Sequence, residues 1–220
     1  MVVLHRSHGT TDVKYGPTSR AEHVLADGTL VTIRPITPSD RDELRRQFMR
    51  LSPESRYRRF FHAVTEPTDE MLAYLTEVDG EDHFAVVAVI DSLDLRTDQG
   101  VGVGRFLRLP DEPDTAEAAV TVVDDFQRRG LGKILLATLA DAAKERGIRK
   151  FRGEVLTSND PMRRLLEEAG ATATEEAAGT TTFDVPLDAP AEDPVPLRVL
   201  RAIAGSMIVW LNHLHRRPRR

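Results

Sequence analysis

Gln127-Arg128-Arg129-Gly130-Leu131-Gly132 is the stretch of this 220-residue chain whose residue types and spacing point most directly at chemistry. It follows the apolar run Val120-Thr121-Val122-Val123 through Asp124-Asp125-Phe126, and leads by Lys133 into a helical pattern. A strand that passes through a glycine-containing loop into a helix aims unsatisfied backbone N–H groups, and the positive end of the helix, at an anion. Gly130 and Gly132 allow close approach to the backbone, while Arg128, Arg129 and Lys133 crowd positive charge around the same point. The stretch reads as a phosphate cradle.

Spacing decides which cradle. A P-loop requires a glycine five positions before Gly132 and a hydroxyl residue after the lysine, where this chain has Gln127 and Ile134. A dinucleotide fingerprint started at Gly130 or Gly102 would need its third glycine at Leu135 or Leu107. The spacing present is Gln127, two residues, Gly130, one residue, Gly132. Other chemistries lack their residues: with no cysteine there is no disulfide, thiolate nucleophile or iron–sulfur ligation. No His-Glu-x-x-His or Gly-x-Ser-x-Gly spacing occurs, and Asp124-Asp125 reads as a turn former rather than a metal pair. No metal is expected.

The elements that must hold the cradle follow from periodicity. Thr29–Ile36 alternates as a strand, and Ser39 or Asp40 opens a helix through Met49. Ser52-Pro53-Glu54 starts a second helix carrying Tyr57, Phe60 and Phe61, and Thr68-Asp69-Glu70 a third. Phe84–Ile90 is a strand apolar on both sides, and Val101–Leu109 and Thr115–Val123 flank the turn Pro110–Asp114. Gly130–Arg146 has Leu131, Leu135, Leu139 and Ala142 at helical spacing and Gly147 as its stop. Lys150–Thr157 is a strand, Asp160–Gly170 a helix, and 171–185 two short strands. Residues 1–27 read as a flexible lead-in to one domain over 28–187.

From about Leu30 to Val185 the chain resembles the GNAT superfamily of N-acetyltransferases, whose acetyl-CoA pyrophosphate loop has the Gln127–Gly132 pattern. Its N-terminal part, Ile33-Arg34-Pro35-Ile36 through Leu51-Ser52-Pro53-Glu54-Ser55-Arg56-Tyr57-Arg58-Arg59-Phe60-Phe61, is similar to the acetyltransferase domain of bacterial protein-lysine acetyltransferases. The resemblance implies a mixed, mostly antiparallel sheet with helices on both faces. It implies acetyl-CoA as co-substrate, with its pantetheine arm on the backbone of Val122 and Val123 and its pyrophosphate on the amides of Arg128–Lys133. Asn159 matches an asparagine that contacts the cofactor arm, although it can equally cap the following helix.

The resemblance also gives Glu117, seven positions before Asp124, as the catalytic base for an amine acceptor, either a protein lysine or a small molecule. On a strand Glu117 shares a face with Ala119, Thr121 and Val123, an apolar set that would desolvate it. Many relatives supply a tyrosine acid where this chain has Met162-Arg163-Arg164, so no acid is assigned. The alternative function is a non-catalytic acetyl-CoA sensor or scaffold of the same fold.

Charge is uneven. Six of the 30 basic residues and none of the 35 acidic ones lie in 194–220, which makes that tail +6 and the remainder −11. The body should attract cations and offers no broad surface for nucleic acid. After a linker over 188–196, residues 197–220 should form an amphipathic helix with Leu200, Ile203, Met207, Trp210 and Leu214 on its apolar side and a basic end. It suits a homodimer contact first and a membrane surface second. No secretory signal is apparent, so a cytoplasmic location is expected.

Overall fold

The structure, a computed structural model, describes residues 15–53, 55–56, 65–90, 98–157, 163, 167, 171–177 and 179–187. Eight strands form one sheet: β1 Ala21–Val24, β2 Leu30–Pro35, β3 His83–Ile90, β4 Gln99–Leu109, β5 Glu112–Val122, β6 Lys150–Leu156, β7 Thr172–Ala177 and β8 Thr180–Pro186. Their order is β1-β2-β3-β4-β5-β6-β8-β7. Every neighbouring pair is antiparallel except β5 and β6, which run parallel. Helices α1 (Arg41–Met49) and α2 (Asp69–Thr76) precede β3, and α3 (Leu131–Glu145) connects β5 to β6.

The two faces of the sheet are built differently. On one, Leu131, Leu135 and Leu139 of α3 are fully buried against Val86, Phe106, Ala118, Val120 and Phe151. The helix comes close because β4 has glycine at 102 and 104. A Cβ at Gly102 would lie 3.0 Å from Leu135, and one at Gly104 would lie 3.2 Å from Leu139, so any side chain there would push α3 off the sheet. On the other face Leu44 of α1 packs against Val87, Val89 and Val103. There Glu43 of α1 accepts a hydrogen bond from the Gly100 N–H at 2.7 Å, and Arg50 donates to the Gly100 carbonyl at 2.9 Å. These contacts fix α1 across the start of β4.

Most elements stand where periodicity places them, with two differences. Residues 1–27 are not wholly a lead-in: 1–14 lie outside the described residues, but Ala21–Val24 is a strand paired with Leu30–Ile33. Asp27-Gly28 turns that hairpin, with Gly28 at φ +87°, the left-handed conformation that glycine adopts without a Cβ penalty. Glu112–Asp114 belongs to β5 rather than to a turn, and a register irregularity at Arg108/Leu109 absorbs the offset. Thr68 caps α2 as expected, accepting from the Met71 N–H at 3.1 Å. Beyond Arg56 the helix expected at Ser52–Phe61, most of the one at Asp160–Gly170, and the C-terminal helix at 197–220 lie outside the described residues. Among the described residues no helix is long and apolar enough to cross a membrane.

Candidate functional site

The site begins with a strand pair that comes apart. β5 and β6 pair only through Thr115–Lys150, Ala116–Phe151 and Glu117–Arg152, although β5 continues to Val122 and β6 to Leu156. Past Glu117 the β6-facing edge of β5 therefore has no strand partner. Unpaired backbone donors and acceptors inside a sheet call for another partner, and an extended amide-bearing ligand can supply one.

Charge closes the other end of this cleft. Arg152 donates to both oxygens of Asp184, at 2.7 and 2.9 Å, and also reaches both oxygens of Glu112. Lys150 adds a bond to Asp184 at 3.1 Å. Burial pushes the Asp184 carboxyl up, but Arg152 and Lys150 outweigh it and hold it below the usual carboxylate range. The Glu112 carboxyl is lowered chiefly by its hydrogen bond from Arg152. Bidentate pairs from one guanidinium to two carboxylates are among the strongest ion-pair geometries, and here they join β5, β6 and β8 where the cleft starts.

Glu117 lies at that starting point. It pairs with Leu107 on one side and Arg152 on the other, and it is buried. Its strand face is the one opposite α3, shared with Ala119 and Thr121 and, across β4, with buried Arg105 and Val103. The expected apolar surroundings therefore hold for Ala119 and Val123, whereas Arg105 adds a buried cation to the same face.

At the open end stands the phosphate cradle. Val123 donates to the Val101 carbonyl at 3.1 Å, which anchors the end of β5, and a single 3₁₀ turn at Asp124–Phe126 follows. Arg128 has φ +61° and Gly130 φ +93°. Gly130 caps α3 without a side-chain hydrogen bond, and the first turn of α3 holds no acidic residue. The helix thus begins with uncapped N–H groups and its positive end exposed, as anion binding requires. A Cβ at Gly132 would meet only Val122, at 4.0 Å, so the fold has room for a side chain where the ligand would need the space.

The cradle's own side chains have unequal tasks. Gln127 turns inward, its amide nitrogen donating to Asp124 at 2.9 Å and to the Val122 carbonyl at 3.2 Å. Arg129 pairs with Asp27 and stacks over the Phe126 ring, while its carbonyl accepts from the Ala26 N–H at 3.2 Å. Arg128 and Lys133 are exposed and form no ion pair among the described residues. These two charges are thus not engaged by an ion pair, whereas Gln127 and Arg129 hold the shape of the loop. Asp124 opens the 3₁₀ turn, and its carboxylate ties the loop to the segment after α1: it accepts from the Ser52 N–H at 2.9 Å and the Ser55 hydroxyl at 2.7 Å. Burial raises its carboxyl pKa, and those hydrogen bonds more than reverse the shift. Asn159 lies outside the described residues. Sequence reasoning missed Asp27, Arg105 and Arg152; only Asp27 left a local signal, the Asp-Gly dipeptide between two alternating runs that marks a hairpin.

Residues 41–171 match the profile of the acetyltransferase (GNAT) family. The chain belongs to that family. It is 36% identical to acetyltransferase Pat of Mycolicibacterium smegmatis over 164 residues, which make up 74% of this chain and 47% of that protein. It therefore spans less than half the length of this relative. An acetyltransferase of Pseudomonas aeruginosa is 34% identical over 142 residues, 64% of this chain and 74% of the relative. The crystal structure of the GNAT domain of S. lividans PAT superposes with a TM-score of 0.66 at 30% identity, covering 76% of this chain and 96% of that one. The GNAT fold and its relation to Pat-type acetyltransferases are thus shown, and the family's co-substrate is acetyl-CoA.

Proposed function

We propose that this chain transfers an acetyl group from acetyl-CoA to a primary amine, a protein lysine in the first instance, with Glu117 as general base. The observation that carries the reading is the β5–β6 separation. It begins at a buried carboxylate and runs toward an uncapped helix N-terminus, so one ligand can lie along the cleft with its phosphates at one end and its reactive end near Glu117. The backbone of Val122 and Val123 borders the arm, the amides of Arg128–Lys133 meet the pyrophosphate, and Arg128 and Lys133 supply the counter-charge. The resemblance adds Asn159 as a further contact to the arm. When bound, acetyl-CoA supplies an activated thioester carbonyl.

The protein's own residues must then deliver an uncharged amine. A lysine amine has a pKa of about 10.4 and is almost wholly protonated at neutral pH. Glu117 takes that proton, directly or through water, as the amine nitrogen attacks the carbonyl carbon. The nitrogen–carbon bond forms, the carbon–sulfur bond breaks, and the sulfur leaves as a thiolate that solvent reprotonates. The net charge of −11 over residues 1–193 favours a cationic acceptor. Release of CoA thiol, followed across a panel of lysine peptides and small amines, tests the reading. Acetyl-CoA binding without thiol release from any acceptor would leave the sensor or scaffold role instead.

A further inference from the structure

Between α1, α2 and the sheet lies an open cavity of about 50 Å³, on the side of β5 that carries Glu117. Its wall includes Leu44, Leu72, Leu75, Val103, Ala119 and Thr121. Ala119 is the next residue after Glu117 on the same strand face, and Thr121 the next after that. The cavity therefore runs beside the unpaired stretch of β5, adjoining the position where the thioester end must sit if Glu117 is to act on the attacking amine.

We propose that this cavity receives the acyl chain of the CoA thioester, and that the enzyme accepts straight-chain acyl groups longer than acetyl. The inference rests on the acyltransferase reading above and deepens it. The chemistry of the wall suits an acyl chain: among the described residues the lining is mostly aliphatic, and its one charged member is Arg105. A methylene chain placed against such a wall gains by leaving water. Ala119 puts a small side chain on the wall, so enlarging it narrows the space left for a chain.

Calorimetric titration of the full-length protein with CoA and with acetyl-, propionyl-, butyryl- and hexanoyl-CoA tests this without needing an acceptor. Each buried methylene should tighten binding by up to about fourfold, so affinity should rise from acetyl- to butyryl-CoA. Ala119→Leu should remove the rise, lowering the ratio of butyryl- to acetyl-CoA affinity by about tenfold; Val103→Phe closes the same space from β4. Affinity that is flat or falls with chain length in the wild-type protein would overturn the proposal while leaving acetyl transfer intact. A rise with chain length but no acylation of any amine would uphold the cavity and sink the catalytic reading. Failure of every thioester to bind would overturn both.

Discussion

The two ends of the β5–β6 pair are built from opposite materials. At the Thr115–Glu117 end the strands are paired, and one guanidinium, one ammonium and two carboxylates bind β5, β6 and β8 together. At the Val122 end no strand pairing remains, a helix starts without a cap, and exposed Arg128 and Lys133 stand near its first turn. One end is satisfied within the protein, and the other is where we propose that the co-substrate binds. Stability and binding are thus assigned to different ends of one cleft, with Glu117 at the junction, and substitutions should separate them.

At the junction the effect should be the largest. Glu117→Gln keeps the size of the side chain and removes its basicity, so turnover at neutral pH should fall by about 10²–10⁴-fold. Acetyl-CoA affinity measured by calorimetry should stay near wild type. Raising the pH should recover part of the loss, because more of the amine arrives deprotonated; a variant with full turnover at every pH would remove Glu117 from the mechanism.

Next comes the open end. Gly132→Val should weaken acetyl-CoA binding by about tenfold or more while leaving the thermal transition nearly unchanged, since the added Cβ has only Val122 beside it. A folded variant with wild-type affinity would move the pyrophosphate elsewhere. Gly130→Val is the less clean experiment, because φ +93° strains any side chain there before a ligand arrives.

The closed end should show the reverse pattern. Arg152→Ala leaves Asp184 with Lys150 alone and should cost about 1–3 kcal/mol of stability in urea unfolding, with turnover falling less than in Glu117→Gln. Acid should mimic it. Asp184 has a lowered carboxyl pKa in the folded state, so its contribution is complete above the ordinary carboxylate pKa and is lost as pH falls below about 4. The stability difference between wild type and Arg152→Ala should accordingly shrink between pH 7 and pH 3.5; a constant difference would mean that the carboxylate partners are not what Arg152 contributes.

These contrasts also explain what was legible in the sequence. The cradle could be read because its parts are contiguous: Val120–Val123, the Gly130 turn and the apolar stripe of α3 are local patterns with local causes. Glu117 was reached through resemblance, and it lies buried on the face of β5 opposite α3. The closed end could not be read, because Glu112, Arg152 and Asp184 come together only through strand order and register. Arg129 shows the same limit: within the loop it counts as a phosphate ligand, but Asp27, about a hundred residues earlier, engages it. Gly102 and Gly104 looked like a failed fingerprint and prove to be the surface on which α3 lies.

The most direct test of the central claim is hydrogen–deuterium exchange of the wild-type protein with and without saturating acetyl-CoA. If the unpaired edge of β5 and the start of α3 hold the co-substrate, exchange should slow in 118–123 and in 128–133, while the amides of 115–117 at the closed end should change little. Saturation with acetyl-CoA that leaves both of those segments as fast as in the free protein would contradict the account.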